Sequence, residues 1–213
     1  LLFAAKNKSD QTVQTVHARA SGAANLPFVT REQQQAWIEQ QAPAALAAQQ
    51  KWGVPASVTL AQAILESSDG AGNWGGSKLA VQCCNFFGVK ARQGEEYEEF
   101  RTAEFSNKPQ ATSNKPEKQI VLARFRKYNS VEESFEAHGR LLGSLARYRP
   151  AMAVAHDPIA FAEQLQLCGY STNPEYAKVL TALMRRYDLS RFNSRQEISD
   201  KQQAASDKPG EKA

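Results

Sequence analysis

The chain has 213 residues, 42% hydrophobic and 23% charged, which is enough for one sizeable core. Its formal net charge of +4 favours an anionic partner without naming one. The basic residues are spread along the chain, and zinc-finger spacing and RNA-binding motifs are absent, which argues against nucleic acid. No apolar run is long enough to span a membrane.

Residues 1–26 are polar and rich in Ala, Ser and Gln, and read as a flexible lead-in. The opening LLFAAK is too short for a complete secretory signal. It reads either as the remnant of a trimmed export signal or as an arbitrary start. An ordered domain is expected over 27–190, followed by a charged, low-complexity and disordered tail over 191–213.

Within that domain TREQQQAWIEQQAPAALAAQQKW predicts one or two helices, with Thr30 as the cap. PASVTLAQAILES predicts a helix that is apolar on nearly every side and therefore buried. EEYEEFRTAEF and IVLARFRKY carry β-type residues with partial alternation and predict a hairpin. The two are joined by SNKPQATSNKPEKQ, a flexible loop with a short internal repeat. SVEESFEAHGRLLGSLARY opens with Ser130 and Glu133, a predicted capping box. DPIAFAEQLQLCGY starts on an Asp-Pro pair and ends on Gly169, and NPEYAKVLTALMRRYDL repeats the pattern from Asn-Pro. The fold class is α+β and mainly α: helices around a buried central helix, with a small β-hairpin lobe. Cys83, Cys84 and Cys168 lack metal-binding spacing. They read most simply as small buried hydrophobes, with a pairing of Cys168 to one of the others as the alternative in an oxidising compartment.

Glu66 carries the chemical interest. A carboxylate at the end of a buried helix is disfavoured in its charged form by apolar surroundings and by the partial negative charge of the helix C-terminus. A carboxyl group kept protonated can donate its proton to a leaving oxygen. By itself a glutamate at a helix end more often turns to water. Here it is followed by Gly70, Gly72, Gly75 and Gly76, by Trp74 with a flat face on which a sugar ring can stack, and by Asn85 and Phe87 in CNFFGVK. An acid, an aromatic and an amide together suit a carbohydrate cleft.

LAQAILESSDGAGNWGGSKLAVQCCNFFGVKA resembles the pattern E-S-G-W-G-x-S-x-L-A, then N-x-F-G-[IV]-K, of the family 73 glycoside hydrolases. These are bacterial peptidoglycan β-N-acetylglucosaminidases, autolysins among them. RTAEF resembles the family's T-x-E-[YF] segment, ARFRKYNSVEESFEAHGRLL its F-R-x-Y-x-S-x-x-E-S-F block, and CGYSTNPEYAKVL its G-Y-A-T-D-P-x-Y-A-x-K-L motif. The four blocks run in order over residues 56–187.

The resemblance implies a lysozyme-like fold. It also implies hydrolysis of the β-1,4 bond between N-acetylglucosamine and N-acetylmuramic acid, without metal or organic cofactor. Residue by residue, Glu66 matches the catalytic acid, Glu104 the second carboxylate on the β-lobe, and Tyr170 the site tyrosine. Trp74, Asn85, Phe87, Thr172 and Asn173 are the expected sugar-binding residues. Without the T-x-E-F match, Glu95, Glu96, Glu98 and Glu99 rival Glu104, each reading more plainly as a solvated strand edge. Tyr128 and His138 read as packing or hydrogen-bonding residues.

The chain departs from the family pattern in SSDGAGN, a longer loop after the acid in which Asp69 assists or shapes the turn, and in Asn173, where the family has aspartate. The expected partner is the peptidoglycan glycan strand, met as a monomer outside the cytoplasm, in the periplasm or at the wall. A lytic transglycosylase or muramidase and a non-catalytic wall-binding or assembly module are the competing readings.

Overall fold

The computed structural model describes residues 29–106 and 117–193, with backbone alone for 103–106 and 117–119. The predicted lead-in, the centre of the SNKP loop and the tail beyond Asn193 lie outside the described residues.

The predicted first segment forms a single helix, α1 (Arg31–Trp52), although Pro43 lies inside it. An internal proline costs a hydrogen bond and strains the turn before it. Burial of Ile38, Ala42, Ala44, Ala45 and Ala48 along the same helix outweighs that cost. Thr30 caps it with a full box, its hydroxyl accepting from the Gln33 amide and the Gln33 side chain accepting from the Thr30 amide.

The central helix α2 (Ala56–Ser67) is buried at ten of its positions, and it packs against α1 and the last helices of the chain. Its N-cap residue is Pro55, which offers no side-chain acceptor. The exposed amides are satisfied from elsewhere: Ala56 N–H donates to Gln49 Oε1 at 2.6 Å, and Ser57 N–H donates to Asn193 Oδ1 at 2.8 Å.

A short helix, α3 (Lys78–Cys83), follows the Gly-rich loop. Strands β1 (Tyr97–Ser106) and β2 (Glu117–Arg126) form the expected antiparallel hairpin, from Tyr97 opposite Arg126 to Ser106 opposite Glu117. Its acidic edge is neutralised across the strands: Glu99 pairs with Arg124, Glu98 with Lys127 and Glu95 with Arg126.

Helix α4 (Val131–Ser144) packs tightly on α1. A Cβ on Gly143 would lie 2.8 Å from the Trp52 carbonyl oxygen, and one on Gly139 would lie 3.1 Å from the Trp52 ring. The predicted capping box at its start forms by half. The Ser130 hydroxyl accepts from the Glu133 amide, but the Glu133 carboxylate accepts from the backbone and side-chain amides of Asn129 instead. A 3-10 turn (Ala146–Tyr148) and α5 (Arg149–Met152) lead to α6 (Pro158–Leu167), which is capped by Asp157 as expected. Gly169 takes the left-handed conformation at φ +72° just past its end. Helix α7 (Tyr176–Arg186) begins later than predicted, because Asn173 forms a side-chain turn to the Glu175 amide rather than a helix cap. A 3-10 turn (Leu189–Phe192) ends the described chain. All three cysteines are free; Cys83 is buried, and Cys84 and Cys168 are half-buried.

Candidate active site

Glu66 stands in the last turn of α2, half-buried, in a helix whose preceding residues Leu60, Ala61, Gln62 and Ala63 are fully enclosed. The next residue locks the helix end. Ser67 Oγ donates to the Ala63 carbonyl at 2.6 Å and accepts from Gly75 N–H at 2.9 Å. The inserted loop folds on Asp69, whose carboxylate accepts from the amides of Ala71 and Asn73 and from the Asn73 side chain at 2.6 Å. The Asn73 bond holds the Asp69 carboxyl below the usual carboxylate range. Of its two sequence readings, shaping the turn is the one these bonds describe.

Tyr170 and Tyr176 flank Glu66 from the α6–α7 side. Both phenols are pushed well above their ordinary pKa, first by burial and also by the Glu66 charge, a second cause shared by both. The rings stack with centroids 5.4 Å apart, and Tyr176 donates its hydroxyl proton to Tyr170.

The chain of bonds continues into the core. Gln62, one helical turn before Glu66, donates from Nε2 to Tyr176 Oη at 2.8 Å. Its Oε1 lies 2.9 Å from His138 Nε2. A carboxamide oxygen can only accept, so His138 carries its proton on Nε2. The remaining nitrogen, Nδ1, is buried with no hydrogen-bond partner among the described residues. Burial drives the His138 pKa down to about 3, so the ring is neutral. Phe87 lies flat on it, ring centroids 3.9 Å apart and planes within 5°.

The other candidates are arranged around this relay. Asn85 is 1% exposed and its amide is committed to the backbone: it donates to the Val89 and Arg126 carbonyls and accepts from Val89 N–H. It thus ties the motif loop to the base of the hairpin. The Trp74 ring packs edge-on to Tyr187 and Trp37, with centroids 4.9 and 5.8 Å away, on the α1 side of Glu66's loop. It lines a cavity of about 250 Å³ there. Thr172 is exposed and Asn173 half-buried in the loop after Tyr170. Glu104 is opposite Gln119 in the hairpin, seven residues out from Tyr97, or roughly 20 Å of strand. Tyr128 is 3% exposed, its phenol pushed up to about 12 by burial, with its hydroxyl unpartnered among the described residues.

Sequence reasoning missed Gln62 and the linking role of Tyr176. The signal was the one amide side chain in a helix whose other uncharged polar residues are small hydroxyls; a buried carboxamide must find partners beyond its own helix.

The comparisons with known proteins point one way. The family model described as mannosyl-glycoprotein endo-beta-N-acetylglucosaminidase matches residues 42–189. The exo-glucosaminidase LytG of Bacillus subtilis is 32% identical over 167 residues, covering 76% of this chain and 54% of LytG. The peptidoglycan hydrolase FlgJ of Pseudomonas aeruginosa is 33% identical over 150 residues, covering 68% of this chain and 34% of FlgJ. The chain therefore spans about half or less of the length of these relatives. Among solved structures, the catalytic domain of the autolysin Auto from Listeria monocytogenes superimposes with a TM-score of 0.63 at 27% identity, covering 81% of this chain and 91% of that one.

Proposed function

The chain belongs to the glucosaminidase family, and from that premise we propose that it hydrolyses the β-1,4 bond between N-acetylglucosamine and N-acetylmuramic acid in peptidoglycan, with Glu66 as general acid. The observation that carries this reading is the position of Glu66: a half-buried carboxyl group in the last turn of the enclosed helix α2, its charge felt by the buried phenols of Tyr170 and Tyr176.

In the proposed reaction the Glu66 carboxyl gives its proton to the glycosidic oxygen as the bond from that oxygen to the sugar's anomeric carbon breaks. The anomeric carbon takes on oxocarbenium character, and water adds to it. Glu104 takes the proton from that water or stabilises the cation. In this reading the hairpin lobe closes on the glycan to bring the two carboxyl groups to one bond. Tyr170 has a pKa far above neutrality and so keeps its proton. Its role is to bond and orient, and it does not act as a base. Thr172 and Asn173, on the loop after it, and Phe87 and Trp74 border the sugar path in this reading, with Asn85 holding the hairpin base. The substrate places the protein's work outside the cytoplasm, in the periplasm or at the wall.

The test is digestion of purified murein followed by borohydride reduction and identification of the reduced end. Glucosaminitol is the expected product. Muramitol would overturn the choice of bond, and a 1,6-anhydromuramic end would overturn hydrolysis. No cleavage by the active-site-intact protein would leave a wall-binding module. Glu66→Gln is expected to abolish cleavage while sacculus binding persists.

A further inference from the structure

Away from the Glu66 loop, the base of the hairpin and α4 enclose a cavity of about 770 Å³, within the size range of built ligand sites. Its walls carry four cations, Lys90, Arg92, Arg126 and Arg140, and one carboxylate, Glu95. Arg126 is already engaged: it pairs with Glu95 at 3.1 Å and lies over the Tyr128 ring at 4.8 Å. Arg92 and Arg140 are not. Each is exposed, and neither side chain forms a hydrogen bond or ion pair with the described residues, although the Arg140 charge is felt by the Tyr128 phenol. Arg92 comes from the loop before β1 and Arg140 from α4. Tyr128, whose buried hydroxyl has no hydrogen-bond partner among the described residues, lines the cavity as well.

We propose that this cavity binds the carboxylates of the peptide stems that branch from the glycan, with Arg92 and Arg140 as the paired recognition groups. The inference rests on the glucosaminidase reading above for its choice of ligand. The glycan itself offers hydroxyl and acetamide groups, which do not require an excess of guanidinium. Peptide stems end in carboxylates, and a guanidinium fork matches a carboxylate in two parallel bonds. The location is also suitable. Ala137 and Leu141 line the cavity and flank His138 on α4, and His138 lies between Phe87 and Tyr170, with 6.1 Å between the His138 and Tyr170 ring centroids. The cavity and the Tyr170 side of the candidate site thus border the same stretch of core around His138.

The test uses muramyl tetrapeptide, which contains no glycosidic bond, and the same compound with its carboxylates amidated, each titrated into the protein by calorimetry. The free-acid form is expected to bind at least about five-fold tighter, which is about 1 kcal/mol. Arg92→Gln with Arg140→Gln is expected to erase that difference without lowering the melting temperature. Equal binding of the two compounds by the unaltered protein would overturn the proposal, as would a difference that survives in the double variant. Tighter binding of a glycerol-phosphate oligomer than of the peptide would overturn it in favour of a phosphate polymer. The reduced-end analysis of murein reads the hydrolase proposal independently, so failure of one is not failure of the other.

Discussion

His138 donates from Nε2 to the amide oxygen of Gln62 at 2.9 Å, inside a core where neither side chain is exposed. Burial keeps that histidine neutral and gives the protein an acid-labile spot. Below about pH 6.5 the unfolded chain protonates this imidazole, whereas the folded chain resists until about pH 3. The unfolded state therefore binds more protons across that window. Stability contributed by the neutral ring is complete above it and is lost as pH falls through it, at up to about 1.4 kcal/mol per pH unit. Urea midpoints measured from pH 7 to pH 4 should fall steeply. His138→Phe should start from a lower midpoint, because Gln62 loses its donor, and show a flatter slope. An equal slope in both proteins would remove His138 from the account.

Tyr170→Phe removes one hydroxyl from the relay beside Glu66 and leaves the ring stack on Tyr176 in place. Its expected effect is a drop in kcat on murein of about 10- to 100-fold with KM little changed, on the scale of losing one donor at a reacting centre. Tyr176→Phe breaks the link to Gln62 one step further from Glu66 and should cost less. A larger loss from Tyr176→Phe than from Tyr170→Phe would reverse the order of the relay.

The parts of this fold that could be read in the sequence are those whose signals are local. The enclosed helix ending in Glu66 was legible because apolar residues occupy every side of it, and Asp157-Pro158 marked a helix start because cap and first turn are adjacent. Glu133 misled, since a carboxylate three residues after a cap can reach either the cap amide or the residue before it, and Asn129 offers two donors. The single long α1 was ambiguous, because proline signals a break locally while the burial that overrides it is tertiary. The short α3 and α5 carry too few residues for periodicity to register. The relay of Gln62, Tyr176 and His138 joins residues separated by 76 and 114 positions, and no spacing rule connects them.

Gly143→Ala should loosen the α1–α4 contact. The added Cβ would sit 2.8 Å from the Trp52 carbonyl oxygen, a backbone atom that cannot rotate away. One helix must shift, at a cost of roughly 1–3 kcal/mol. Chemical denaturation would show it as a lower midpoint with an unchanged slope, and the same substitution with no loss would mean that the helices part freely there.

Asn85→Ala tests whether the hairpin's attachment matters to activity. The side chain supplies three bonds, to Val89 twice and to Arg126 once, where Arg126 ends β2. Removing it leaves the Arg126 carbonyl and the Val89 amide short of a partner in a part-buried place, while the Val89 carbonyl keeps the Arg126 amide, at a cost of roughly 1–3 kcal/mol for each group left unsatisfied. Amide exchange in β1 and β2 should quicken more than in α2. Murein hydrolysis should fall with it if Glu104 acts from the hairpin. Faster exchange with undiminished hydrolysis would separate the hairpin from the chemistry.

Asn193→Ala removes a cap that no inspection of α2 itself would suggest. Pro55 stands at the N-cap and accepts nothing, so the Ser57 amide and hydroxyl depend on a side chain 136 residues away. The expected cost is about 1–2 kcal/mol, the ordinary worth of a helix cap. Because α2 carries Glu66 at its opposite end, the loss should appear in the unfolding midpoint and leave kcat per folded molecule unchanged. A fall in kcat at full folding would mean that strain at the first turn is carried along the helix, about two and a half turns from Ser57 to the carboxyl group, and α2 could no longer be regarded as the rigid mount of the site.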